Sequence, residues 1–145
     1  MREILFRGKQ KEYPGEWIEG MFTIGKFAGK EYHAIERREK RIITYDYEWT
    51  MQPYEVIPDT IGQYTGLTDD KSGKKIFEGD IVAVNINGCR TICTVSWAET
   101  VAHFQLWQIN TIPKTPTALN LGNYDCEVIG NIHDNPELLK GGDSV

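Results

Sequence analysis

Long apolar runs are missing from this chain. Nowhere do about 18 apolar residues follow one another, so no membrane-spanning helix is expected. The opening Met1-Arg2-Glu3-Ile4-Leu5-Phe6-Arg7-Gly8 has no extended apolar core and no small-residue cleavage site, which argues against a signal peptide. Cysteine is scarce and odd in number, at three, which excludes a fully paired disulfide framework. Cys89 and Cys93 stand four apart in an expected strand, roughly 13 Å from each other on one face. That is beyond disulfide or shared-metal reach. Adding Cys126, His103 and His133 gives a nominal ligand list without zinc spacing. Buried or half-buried structural cysteines are expected, with no metal and no cofactor. A basic excess is also absent: 16 Lys and Arg stand against 21 Asp and Glu, a net charge of −5. The imbalance is local. Residues 1–58 carry ten basic and ten acidic side chains, and residues 59–145 carry six and eleven. Duplex-binding domains draw most of their non-specific affinity from neutralised phosphates, so this charge disfavours nucleic acid as the partner. Together these absences point to a protein of the cytoplasm with no membrane contact.

What is present is an ordinary globular composition. Of 145 residues, 40% are apolar and 11% aromatic, enough for a core without disulfides or metal. Strand signals dominate. Residues 3–7, 16–24, 31–36 and 41–49 are rich in β-formers. Tyr13-Pro14-Gly15 and residues 26–30 punctuate them as turns. The charged run Arg37-Arg38-Glu39-Lys40-Arg41 reads as an exposed hairpin tip, or alternatively as phosphate contacts through Arg37, Arg38, Lys40 and Arg41. Tyr45, Tyr47 and Trp49 fall at period 2 and are placed on one face. They either cover a core or form a subunit interface. Tyr54-Glu55-Val56-Ile57, between Pro53 and Pro58, reads as a short connection to a second β unit.

In that second unit, Ile81–Ile86 is a strand and Asn87-Gly88 a two-residue hairpin turn. Residues 89–97 return as its partner, and His103–Ile109 and Cys126–Gly130 are further strands. Residues 110–124 read as a long loop. Pro136–Leu139 forms one helical turn capped by Asn135, and the tail from Gly141 is expected to fray. The glycine-rich stretch 61–79 lacks the strand–GxxxxGK[ST]–helix context of a phosphate loop. Asp69-Asp70-Lys71-Ser72-Gly73 lacks the later ligands of a calcium loop, with Asp80 where Glu is required. The fold class is therefore all-β, with two small β units at 1–58 and 59–145. The first is built of hairpins that offer an oligomerisation surface. The second, with about five short strands, fits an SH3-like barrel.

Three segments carry a family resemblance. They are Ile61-Gly62-Gln63-Tyr64-Thr65-Gly66-Leu67-Thr68-Asp69 with Gly73-Lys74-Lys75-Ile76-Phe77-Glu78-Gly79-Asp80-Ile81-Val82; the opening Arg2-Glu3-Ile4, Phe6-Arg7 and Gly15-Glu16-Trp17; and the ending Glu127-Val128-Ile129-Gly130-Asn131-Ile132-His133-Asp134-Asn135-Pro136-Glu137-Leu138-Leu139. In this order and over nearly the whole length, the chain resembles the YopX family of phage and prophage proteins. It departs mainly at residues 37–52, which look like an enlarged hairpin. The resemblance implies two linked all-β parts, the second SH3-like, and a mobile-element origin, hence the cytoplasm of a bacterial host. It brings no activity and no assigned residue.

The motif residues have two readings. As structure, the glycines supply special turns, Tyr64 and Phe77 pack, and Asp80 caps a turn by accepting backbone N–H bonds. As a site, Asp59, Gln63, Tyr64, Thr65 and Asp80 would form a binding patch. Catalysis finds little support. His33, His103 and His133 lie in no recognised motif, and Asp69 and Asp70 sit beside Lys71 as solvated turn acids, although paired carboxylates with Asp59, Glu78 and Asp80 would suit a small hydrolase. The leading expectation is a non-enzymatic protein-interaction module that self-associates or binds a host or phage protein through aromatics and strand edges. The alternative is a nucleic-acid-binding β-barrel accessory protein that stacks bases on aromatics.

Overall fold

The computed structural model describes residues 2–109 and 118–143. They form two compact units, Met1–Gln63 and Tyr64–Val145. All regular structure is strand or short 3-10 turn among the described residues, so the chain is all-β.

The first unit is an antiparallel sheet in the order β4-β3-β2-β1, followed by the first residues of β5. Its strands are β1 (Phe6–Lys9), β2 (Trp17–Phe27), β3 (Lys30–Ile43), β4 (Asp46–Glu55) and β5 (Gly62–Thr68), with a 3-10 turn at Pro58–Thr60. β2 serves two neighbours in turn. Its residues up to Gly20 pair with β1, and from Met21 on they pair with β3. Gly20 is required at the changeover, because a Cβ there would sit on the Glu36 carbonyl oxygen. The core lies on one face of this sheet. Ile18, Ile35 and Val56 are buried, with Phe6, Phe22, Tyr54 and Ile61 packed against them. Thr60 ties the end of β1 in place: its hydroxyl donates to Ile57 O at 2.6 Å and accepts from Lys9 N at 2.9 Å.

The charged run is not a hairpin tip. β3 continues through it to Ile43, and β4 answers it residue for residue from Arg37↔Gln52 to Ile43↔Asp46. The tip is Thr44-Tyr45. The segment 54–57 is likewise not a mere connection, because β4 reaches Glu55. Pro53 is accepted inside β4 because it occupies a position whose nitrogen faces away from β3.

In the second unit the later part of β5 pairs with β6 (Lys75–Phe77). β7 (Asp80–Ile86), β8 (Cys89–Ala98), β9 (His103–Gln108), β10 (Ala118–Asn120) and β11 (Cys126–Asn131) form a sheet in the order β10-β9-β8-β7-β11. Asn87 (φ 50°) and Gly88 (φ 81°) make the expected left-handed turn between β7 and β8. The core here is larger: Ile76, Val82, Val84, Cys93, Val95, Leu106, Leu121 and Cys126 are all buried in one cluster. The finer expectation of an SH3-like barrel rests on the strand count, the tight hairpin and the family resemblance.

Three details depart from the sequence reading. The expected loop 110–124 contains β10 and a 3-10 turn at Leu121–Asn123, while residues 110–117 lie outside the described residues. The C-terminal turn exists as a 3-10 segment, Pro136–Asp143, and the end of the tail, Ser144 and Val145, is outside the described residues. Asn135 precedes that turn, but its side-chain oxygen accepts from Asn131 N at 3.2 Å, closing the bend after β11 instead. Among the cysteines, Cys89 is exposed, whereas Cys93 and Cys126 are buried. Burial pushes their thiols up to about 11 and about 12, the latter also raised by Cys93 and nearby acids.

Candidate interaction surface

Past Glu36 the β3–β4 hairpin is a two-stranded ribbon, since β2 pairs with β3 only as far as that residue. Each strand alternates its side chains between two faces. One face carries Arg37, Glu39 and Arg41 with Glu48, Thr50 and Gln52, and leads back to Ile35 and Tyr54. It is knit by polar contacts. Arg37 donates to Glu39 Oε1 from Nη2 at 2.7 Å and from Nε at 3.1 Å, and the Tyr54 hydroxyl donates to the same oxygen. The Tyr54 hydroxyl and Arg37 hold the Glu39 carboxyl below its ordinary range, and Glu39 in turn raises the Tyr54 phenol. Arg41 lies 3.7 Å from Glu48.

The other face carries Arg38, Lys40 and Ile42 opposite Met51, Trp49 and Tyr47. Here cations lie on rings. The Arg38 guanidinium is 4.4 Å from the Trp49 ring centre, and the Lys40 ammonium is 3.9 Å from that of Tyr47. Tyr47 and Trp49 meet edge to face at 6.3 Å. Despite these contacts the face is open: Tyr47 is 51% exposed, Trp49 52%, Met51 48% and Ile42 79%. The aromatics therefore do not cover a core. Tyr45, expected beside them, stands in the turn and is fully exposed. The same sheet face continues toward the β2–β3 turn, where Phe27, Lys30, Tyr32, Ala34, Pro53 and Glu55 line a groove of about 380 Å³.

The four expected phosphate contacts thus do not form one patch. Arg38 and Lys40 lie on the aromatic face, Arg37 and Arg41 on the opposite one. Met51 went unnoticed in the sequence, although it extends the period-2 series of Tyr47 and Trp49.

The motif residues proposed as a binding patch are distributed otherwise. Asp59 is exposed and Gln63 half-buried in the first unit, whereas Tyr64, Thr65 and Asp80 belong to the second. Those three hold β6. The Thr65 hydroxyl donates to Ile76 O at 2.7 Å, the Tyr64 ring tilts against Phe77 at 5.6 Å, and Asp80 Oδ2 accepts from Phe77 N at 2.8 Å. Asp80 is 1% exposed. Asp69, expected as a solvated turn acid, is fully buried. Its Oδ1 accepts from Lys71 N at 2.7 Å and Ser72 N at 3.2 Å. Its Oδ2 accepts from Ser72 Oγ and Val128 N, both at 2.9 Å. Burial pushes this carboxyl up, but the four donors outweigh it and the net shift is downward. A shallow cleft of about 410 Å³ lies beside it, lined by both signs of charge: Asp70, Asp125 and Glu127 with Lys71 and Arg90. The Lys71–Glu127 pair at 3.2 Å neutralises part of that lining.

His33 stacks on Phe22 at 5.9 Å, and His103 Nδ1 lies 3.0 Å from Phe104 O.

The chain matches the family model described as YopX protein over residues 6–140. It belongs to the YopX family. No curated protein matches it. The match spans both units and includes the β3–β4 ribbon and the Tyr64–Asp80 segment.

Proposed function

We propose that this YopX-family protein is a non-enzymatic protein-interaction module that self-associates through its first unit. One observation carries the reading. The β3–β4 ribbon exposes Ile42, Tyr47, Trp49 and Met51 together on one face, with an unpaired strand edge beside them among the described residues. Ordered aromatics at this density on a ribbon without a covering layer suit a partner surface. The acids of the central motif support the non-enzymatic part, because Asp69 and Asp80 are occupied in holding backbone amides. Sedimentation of the pure protein at about 1 to 100 µM tests the self-association. A molar mass above that of one chain is expected, and a single-chain mass over the whole range would refute it.

A second reading has its own support. The Arg38–Trp49 and Lys40–Tyr47 pairs interleave cations with rings, an arrangement that suits single-stranded nucleic acid. Binding of that kind would collapse between about 50 and 200 mM salt and quench tryptophan fluorescence, whereas an apolar protein contact would survive. A pull-down from bacterial extract with and without nuclease separates the two.

A further inference from the structure

We propose that a second copy of the chain pairs edge to edge along β4, antiparallel, with Trp49 of each copy at the twofold axis. This rests on the self-association reading and specifies its surface and register. In an antiparallel ladder every second facing pair exchanges main-chain bonds, and the residues between turn their N–H and C=O outward. Val56 N donates to His33 O at 2.9 Å, which sets the alternation for β4. It follows that Asp46, Glu48, Thr50 and Gln52 bond to β3, and that Tyr47, Trp49, Met51 and Pro53 face outward.

That outer edge is bounded at both ends. Pro53 has no N–H to offer, and beyond it Glu55 O already accepts from Lys11 N at 2.9 Å. At the other end the strand stops at the Thr44-Tyr45 turn. The usable edge is Tyr47 to Met51, and its midpoint is Trp49. Centred there, Tyr47 faces Met51 of the second copy and Trp49 faces its own counterpart, closing about six main-chain bonds. On the polar face Glu48 meets Thr50 and Asp46 meets Gln52, so no carboxylate meets another. Sliding the axis to Tyr47 would set Glu48 against Asp46, a like-charge contact. Sliding it to Met51 would set Trp49 against Pro53 and lose a donor. Among the axes through an outward-facing residue, charge and main-chain bonding therefore select the same register. The Tyr47, Trp49 and Met51 side chains of both copies then continue as one aromatic surface.

Two variants test this. Met51→Pro removes one outward N–H at a position equivalent in alternation to the native Pro53, so the bonds to β3 are kept. It is expected to halve the molar mass measured by sedimentation, with near-ultraviolet circular dichroism unchanged. Independently, Glu48→Cys and Thr50→Cys chains, both carrying Cys89→Ser, are mixed and mildly oxidised. The register places these two positions about 4.5 Å apart between Cα atoms, within disulfide reach. The mixture is expected to crosslink at least several-fold more than either chain alone. An oligomer that persists in Met51→Pro without selective crosslinking overturns the β4 edge and leaves self-association to another surface. A wild-type chain that stays single overturns both readings.

Discussion

Asp69 accepts four hydrogen bonds that shape a turn of the second unit. Its four donors come from the following turn and from Val128 of β11, fifty-nine residues later in the chain. One carboxylate thereby joins a local bend to a distant strand. Asp69→Ala leaves those donors without their acceptor and is expected to cost about 2–3 kcal/mol, read as a fall in urea midpoint. The pH dependence follows from the direction of the shift. The folded carboxyl titrates below its unfolded value of 3.8, so its stabilisation is complete above that value and lost as pH falls through the lower, folded one. The stability gap between wild type and Asp69→Asn should therefore be constant from neutral pH to about pH 5 and shrink on further acidification. A gap that stays constant to pH 2 would contradict the assignment. Sequence gave no warning of this role, because an Asp-Asp-Lys turn is ordinarily solvated. The partner that buries Asp69 lies too far along the chain to be seen in local spacing.

At the scale of elements, the hairpins were the most legible part. Asn87-Gly88 announces its turn because both positions must adopt positive φ, at 50° and 81° here. Gly88→Ala keeps every side-chain contact, since a Cβ there meets nothing, yet forces an alanine into the left-handed region. The expected loss is about 1–2 kcal/mol in the urea-derived stability. A neutral effect would mean that the turn relaxes to another type. The β3–β4 ribbon was harder to read for a physical reason. Strands show themselves by alternation when one face is buried. From Arg37 to Arg41 both faces meet solvent, so charges occur at every position and the strand looks like a tip. Tyr47, Trp49 and Met51 do alternate, but periodicity alone cannot distinguish a core-facing row from an exposed one. Of Asp59, Gln63, Tyr64, Thr65 and Asp80, the last three all engage β6: Thr65 and Asp80 bond the backbone of Ile76 and Phe77, and Tyr64 pairs with Phe77.

For the whole molecule, the two units have separate and unequal cores. The first buries Ile18, Ile35 and Val56; the second buries eight residues in one cluster. Burial of each large aliphatic side chain contributes about 1.5–3 kcal/mol, so the second unit has the larger stabilising term. The tryptophans divide evenly, with Trp17 and Trp49 in the first unit and Trp97 and Trp107 in the second. Variants that keep Trp17 with Trp49, or Trp97 with Trp107, can thus report each unit in one urea titration. The first unit is expected to lose structure at lower urea. Ile35→Ala, at a fully buried site, should move the Trp17 transition by about 2–5 kcal/mol and leave that of Trp97 nearly in place; Leu106→Ala should do the reverse. If both probes move together in both variants, the chain unfolds as one cooperative body. The protein's concentration adds a second discriminator. Self-association stabilises only the surface that takes part, by mass action. Raising the concentration should shift the Trp17 transition to higher urea and leave the Trp97 transition fixed, because the exposed ribbon belongs to the first unit alone.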